Sequence, residues 1–162
     1  MAELRRSTDK PASELRKSTD KATTDKPAAE LRRSAERPSI NVAIVGSRDY
    51  HNGAVVFNYV DDKLKKYAGH KITIVSGGAQ GVDRIAEDYA AIRGYDLHVI
   101  KPNYEGTMPG SPQARARPLQ RNSDIVAMAH IIIAFPTETS RGTFDTISKA
   151  RRAGKEPFVC NV

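Results

Sequence analysis

The chain has 162 residues, a formal charge of +7, 39% hydrophobic and 28% charged residues, one cysteine and no tryptophan. That length suits one domain plus an appendage. No apolar run is long enough to cross a bilayer, and Met1 is followed by charges rather than by a secretory core. Cys160 alone excludes an internal disulfide and agrees with a reducing cytosol, so a cytoplasmic protein without membrane contact is expected. His51, His70, His98 and His130 are scattered without metal-ligand spacing, so neither a metal nor a cofactor is expected. Residues 1–40 hold ten basic and seven acidic residues, a net +3, and the remainder carries +4. Neither part is a dense basic block, so the charge favours anionic partners without naming one.

Residues 1–39 are repetitive: Ala2-Glu-Leu-Arg-Arg-Ser-Thr-Asp-Lys-Pro-Ala12 returns as Ser13-Glu-Leu-Arg-Lys-Ser-Thr-Asp-Lys-Ala22 and again, in part, up to Pro38. Leu4, Leu15 and Leu31 give too little apolar surface to offset chain ordering, and Pro11, Pro27 and Pro38 interrupt any long helix. The expectation is a mobile charged arm over 1–39, either a merely solvated tail or one that tethers or makes weak polyanion contact, nucleic acid included, and a folded domain over 40–162.

Asn41–Val45 is a short apolar run ending in Gly46-Ser47-Arg48-Asp49, a buried strand feeding a ligand-facing loop. Val56, Val60, Leu64 and Tyr67 recur at helical spacing up to Gly69. A second strand, Ile72–Val75, runs into Ser76-Gly77-Gly78-Ala79-Gln80-Gly81. The helix that follows is marked by Val82, Ile85, Ala86, Tyr89, Ala90 and Arg93 and stopped by Gly94. Leu97–Ile100 reads as a third strand, and residues 101–113 as a long loop rich in turn formers. A helix is expected over Ala114–Ala129, with Pro118 as a point of breakage. Ile131–Phe135 is the clearest buried strand. Pro136–Thr143, a helix to Ala153 and a strand at Pro157–Asn161 complete the chain.

Strand and helix alternate five times, which predicts an α/β fold of modified Rossmann type: a five-stranded parallel sheet with helices on both faces. Ligands of such sheets bind beyond the carboxyl ends of the strands, so loops 46–50, 76–83 and 136–145 should converge.

The glycine-rich turn offers bare N–H groups before a helix start, where an anion is favoured. It reads as a grip for the phosphate or ribose-phosphate of a nucleotide, or as a tight connection without a ligand. Gly46, Ser47, Arg48, Ser76, Gly77, Gly78, Gly81 and Asp83 are its candidate ligand-binding residues. Ser140, Arg141, Gly142 and Thr143 open the last helix and form a second candidate anion pocket. Asp83 either caps its helix or binds a ribose hydroxyl. Asp145 either pairs with the helix start or takes part in chemistry. Arg121 and Asn122 could bring a guanidinium and an amide to the same mouth. The first strand lacks Gly-x-Gly-x-x-Gly and no Gly-Lys-Ser/Thr follows the glycines, which argues against NAD-dependent hydride chemistry and a Walker loop.

As a set, Val-Ser-Gly-Gly-Ala-Gln-Gly-Val-Asp83, Arg121-Asn122, Ile-Ala-Phe-Pro136 and Arg-Gly-Thr-x-Asp145 resemble the SLOG superfamily, in its YpsA-related branch, over residues 41–162. The resemblance implies a modified Rossmann fold that binds nucleotides or nucleotide-derived signals. One relative is the LONELY GUY group of phosphoribohydrolases, whose Pro-Gly-Gly-x-Gly-Thr-x-Glu motif is similar to Pro136–Asp145. It implies Arg121 and Asp145 as catalytic residues of a nucleoside 5′-monophosphate N-glycosidase. This chain departs from that motif: Thr-Glu-Thr-Ser stands where the glycine pair would be, and Asp145 is shorter than glutamate. A second relative, the DNA-processing protein A family, implies single-stranded DNA binding. Three readings stay open: a nucleotide-binding hydrolase, a non-enzymatic nucleotide sensor or sequestering module, and a single-stranded DNA binder. A homodimer is a further expectation.

Overall fold

A computed structural model describes residues 37–162, so the repetitive arm lies outside the described residues up to residue 36. Five strands and four α-helices alternate from Ser39 onward: β1 (Ser39–Gly46), α1 (Gly53–Leu64), β2 (Lys71–Ser76), α2 (Val82–Arg93), β3 (Asp96–Val99), α3 (Pro112–Met128), β4 (Ile131–Phe135), α4 (Arg141–Arg152) and β5 (Phe158–Val159). A short 3-10 turn, Lys65–Tyr67, follows α1.

Apolar β-branched runs with helices between them force crossovers, and crossovers make neighbouring strands parallel. All four pairings are parallel, in the order β3-β2-β1-β4-β5. The central strand β1 pairs Val42 with Ile74 on one side and with Ile131 on the other. Alternation along each strand divides the core into two layers. Ile40, Val42, Ile44, Ile72, Ile74, Ile131, Ile133 and Phe135 pack with Val56 and Val60 of α1 and with Ile85 and Tyr89 of α2. Ala43, Val45, Val75, Ile132 and Ala134 point the other way, against Ile125 and Val126 of α3 and Ile147 and Ala150 of α4. The doubly covered parallel sheet is therefore present, with helices on both faces.

The element boundaries show where local rules yield. Helix α3 starts at Pro112, with Ser111 accepting from Ala114 N as its cap, and it runs unbroken through Pro118 to Met128. The expected break is absent because proline removes only one ladder bond, while Ala114, Arg121, Asn122, Ile125 and Val126 are held buried on both sides of it. Strand β5 shrinks to two residues at the sheet edge, where only β4 pairs with it. Gly94, left-handed at φ 73°, ends α2 where the sequence puts the stop.

Strand order reverses at β1, with β2 and β3 on one side and β4 and β5 on the other. That is the switch point of a doubly wound sheet, and the loops after β1 and β4 diverge there to leave a crevice.

Candidate functional site

A cleft of about 400 Å³ opens beyond the carboxyl ends of β1 and β4. Its walls come from the β1 loop (Gly46, Ser47, Arg48, Asp49), from α2 and its preceding turn (Ala79, Asp83), from α3 (Arg115, Pro118, Leu119, Arg121, Asn122) and from the start of α4 (Thr139 to Thr143). The three loops expected to converge therefore do meet, and α3 forms the fourth wall.

Close backbone approach builds the first wall. Val82 N donates to Ser47 O at 3.1 Å, which seats the start of α2 on the β1 loop. Gly81 lies between them at φ +70°, and a Cβ there would come within 2.3 Å of Ser47 O. Only glycine satisfies both the left-handed backbone and that contact. The turn before α2 is held by its own side chains. Ser76 Oγ accepts from Gly78 N at 3.1 Å, and Asp83 Oδ2 accepts from Ala79 N at 3.2 Å. Gly78 and Gly81 border a separate, more open depression with His51 and Arg84 rather than the cleft.

Gly77 lies where two charged side chains meet. An added Cβ would come within 2.8 Å of both Arg121 Nη1 and Asp83 Oδ2. Arg121 is 8% exposed. Its Nη1 donates to Gly77 O and, at 3.1 Å, to Ile100 O, while Nε donates to Asn122 Oδ1 at 3.1 Å. Burial pushes the Arg121 pKa down, against the pull of Asp83. Asp83 is 6% exposed. Burial raises its carboxyl to about 6, helped by Glu87 and opposed by the Ala79 amide, Arg121 and Arg48.

The α4 wall is built differently. Ser140 precedes the helix, but its Oγ accepts from Thr137 N at 2.8 Å and lies 2.7 Å from Thr137 Oγ1, so it does not cap the helix. Phe144 N reaches Ser140 O, whereas among the described residues Gly142 N and Thr143 N have no acceptor. Thr143, 6% exposed, also lines the cleft, and its hydroxyl has no partner among the described residues.

Of the residues singled out by sequence, Gly46, Ser47, Arg48, Asp83, Arg121, Asn122, Ser140, Arg141, Gly142 and Thr143 border this cleft, whereas Ser76, Gly77, Gly78, Gly81 and Asp145 do not. Asp145 Oδ2 accepts from Lys149 Nζ at 2.7 Å and from Asn122 Nδ2 at 3.1 Å. It stands behind Asn122, which also donates to Gly142 O at 3.2 Å and so ties α3 to the start of α4. Sequence reasoning did not single out Arg115, Leu119 or Thr139. The signal for the first two was a helical stripe, since Arg115, Leu119 and Asn122 fall four and three residues apart on one face of α3. Among the described residues no three His, Cys, Asp or Glu side chains cluster as metal ligands, and no helix is long and apolar enough to cross a membrane.

A parallel sheet of this order with a cleft at its switch point defines a Rossmann-like α/β domain. Residues 40–106 match the family described as YAcAr, the YspA, cpYpsA-related SLOG family. The Gene 61 protein of Mycobacterium phage D29 is 30% identical over 121 residues, covering 70% of this chain and 90% of that protein. The chain belongs to this SLOG family. Among solved structures, DNA processing protein A of Streptococcus pneumoniae superposes with a TM-score of 0.57 at 22% identity, over 78% of this chain and 51% of that one. This chain thus spans about half of that protein's length. DNA processing protein A of Helicobacter pylori, described for its single-stranded DNA binding mode, gives 0.55 at 22% identity, over 79% of this chain and 67% of that one. TM1055 gives 0.51 at 17% identity, over 73% and 72%. At these identities the three likenesses bear on the fold.

Proposed function

We propose that the cleft binds a phosphorylated nucleotide-type ligand, with its phosphate at the start of α4. The observation that carries this reading is the uncapped helix: among the described residues the N–H groups of Gly142 and Thr143 have no acceptor and the buried Thr143 hydroxyl beside them has no partner. Helix starts favour anions through such donors and the helix dipole. Four arginines (48, 115, 121 and 141) line the cleft against two aspartates (49 and 83), which adds to the attraction for phosphate. The apolar flank of Pro118, Leu119 and Ile125 suits a base.

Binding is favoured over N-glycoside hydrolysis. The carboxylate that resemblance pairs with Arg121 is Asp145, and it is engaged by Lys149 and Asn122 outside the cleft. Calorimetry of the purified protein with a panel of nucleoside mono-, di- and triphosphates tests the proposal. Micromolar binding that is lost in Thr143→Val and weakened by salt supports it; no heat for any nucleotide overturns it. Release of free base and ribose 5-phosphate would restore the hydrolase reading. Single-stranded DNA is the second reading, favoured by the arginine-lined cleft and by what the Helicobacter pylori relative is described to bind. It predicts that oligonucleotides bind more tightly than mononucleotides, with log affinity falling steeply against log salt.

A further inference from the structure

Two charged side chains in the cleft wall are only partly used by the protein. Asp83 spends Oδ2 on Ala79 N, and among the described residues Oδ1 has no hydrogen-bond partner. Arg121 spends Nε and Nη1 on Asn122, Gly77 and Ile100, and Nη2 has no partner among the described residues. Both are more than nine-tenths buried, both line the cleft, and both come up to the same face of Gly77, where an added Cβ would lie 2.8 Å from each. Buried polar atoms are seldom left unsatisfied, and a carboxylate only accepts while a guanidinium only donates.

One neutral group satisfies both: a pair of neighbouring hydroxyls. Each hydroxyl both donates and accepts, so one can donate to Asp83 Oδ1 while the other accepts from Arg121 Nη2. A second phosphate would suit Arg121 but would bring negative charge against Asp83. The α4 start supplies the anion site elsewhere in the same cleft. We propose that Asp83 and Arg121 form a clamp for the cis-diol of ribose, so that the cleft selects ribonucleotides over deoxyribonucleotides. The assignment rests on the nucleotide reading above and narrows it to one sugar. A deoxyribose would leave Asp83 buried against a carbon, and an unpaired buried acceptor costs affinity.

The test compares, by calorimetry on the full chain, one ribonucleoside 5′-monophosphate with its 2′-deoxy and 3′-deoxy forms, and with ribose 5-phosphate. The ribonucleotide should bind about 10- to 100-fold more tightly than either deoxy form. Measurable ribose 5-phosphate binding with the same bias against 2-deoxyribose 5-phosphate would assign the preference to the sugar rather than to the base. In Asp83→Ala the ribonucleotide should fall towards its deoxy analogue, with circular dichroism reporting the fold. If that variant fails to fold, the wild-type ratios still decide. Equal, measurable affinities for ribo and deoxy forms overturn the clamp and leave the nucleotide reading standing. Absence of binding to any of them overturns both.

Discussion

Replacing Asp83 with asparagine should change how stability depends on pH. An acid whose pKa rises on folding holds its proton more tightly in the native state. The native protein then carries more protons than the unfolded chain between the two pKa values, so stability falls as pH climbs through that window. For Asp83 the window runs from 3.8 to about 6. At 1.36 kcal/mol per unit, a rise of roughly two units costs about 3 kcal/mol at neutral pH. The side chain is 6% exposed, so solvent screening removes little of this. Asparagine keeps an oxygen for Ala79 N and cannot ionise. The variant should match wild type near pH 4 and exceed it by about 3 kcal/mol at pH 7, on the order of 10 °C in Tm for a domain of this size. Urea titrations of both proteins from pH 4 to 8 give the difference directly, because other carboxylates cancel in it. A flat difference curve would refute the argument, since the carboxylate would then be solvated. The same substitution should weaken any ribose preference, a trade of activity for stability common at binding sites.

Three further outcomes are expected. Gly77→Ala forces a Cβ to within 2.8 Å of Arg121 and Asp83, so thermal denaturation should show a loss of about 1–3 kcal/mol together with weaker nucleotide binding. Unchanged values would mean that the two side chains are not held there. Arg121→Lys cannot reproduce donation to Asn122, Gly77 and Ile100 from one planar group, and nucleotide affinity should drop by about tenfold or more in a titration. Asp145→Asn weakens a part-exposed pair with Lys149, costing about 1 kcal/mol or less in denaturant. It should leave nucleotide affinity within about twofold, and a larger loss would bring Asp145 into the ligand site.

Much of the fold was legible because its signals are local. A five-residue apolar run such as Ile131–Phe135, rich in β-branched residues and followed by Pro136, reads as a strand buried on both faces. Val56, Val60, Leu64 and Tyr67 recur at steps of four, four and three, the odd step fitting one helix face but not one strand face. Alternation of such elements implies crossovers, and crossovers imply a parallel sheet with ligand loops at one end. The convergence of loops 46–50, 76–83 and 136–145 on one cleft follows from that rule. Less legible were Pro118, tolerated because packing on both sides of it holds α3 together, and Arg115, whose seven-residue offset from Asn122 carries meaning only once α3 is known to flank the cleft.

The amino-acid sequence by itself determined which segments are strands, which helix faces are apolar and where the glycines permit close approach, since these depend on neighbours a few residues apart. Only the tertiary structure decided what each polar side chain meets. Arg121 reaches a carbonyl 44 residues away at Gly77. Asp145 is claimed by Lys149 one turn along its own helix and by Asn122 from the preceding helix, α3. Hydrogen bonds act over about 3 Å in space whatever the separation along the chain, so the partners of a charge are fixed by packing.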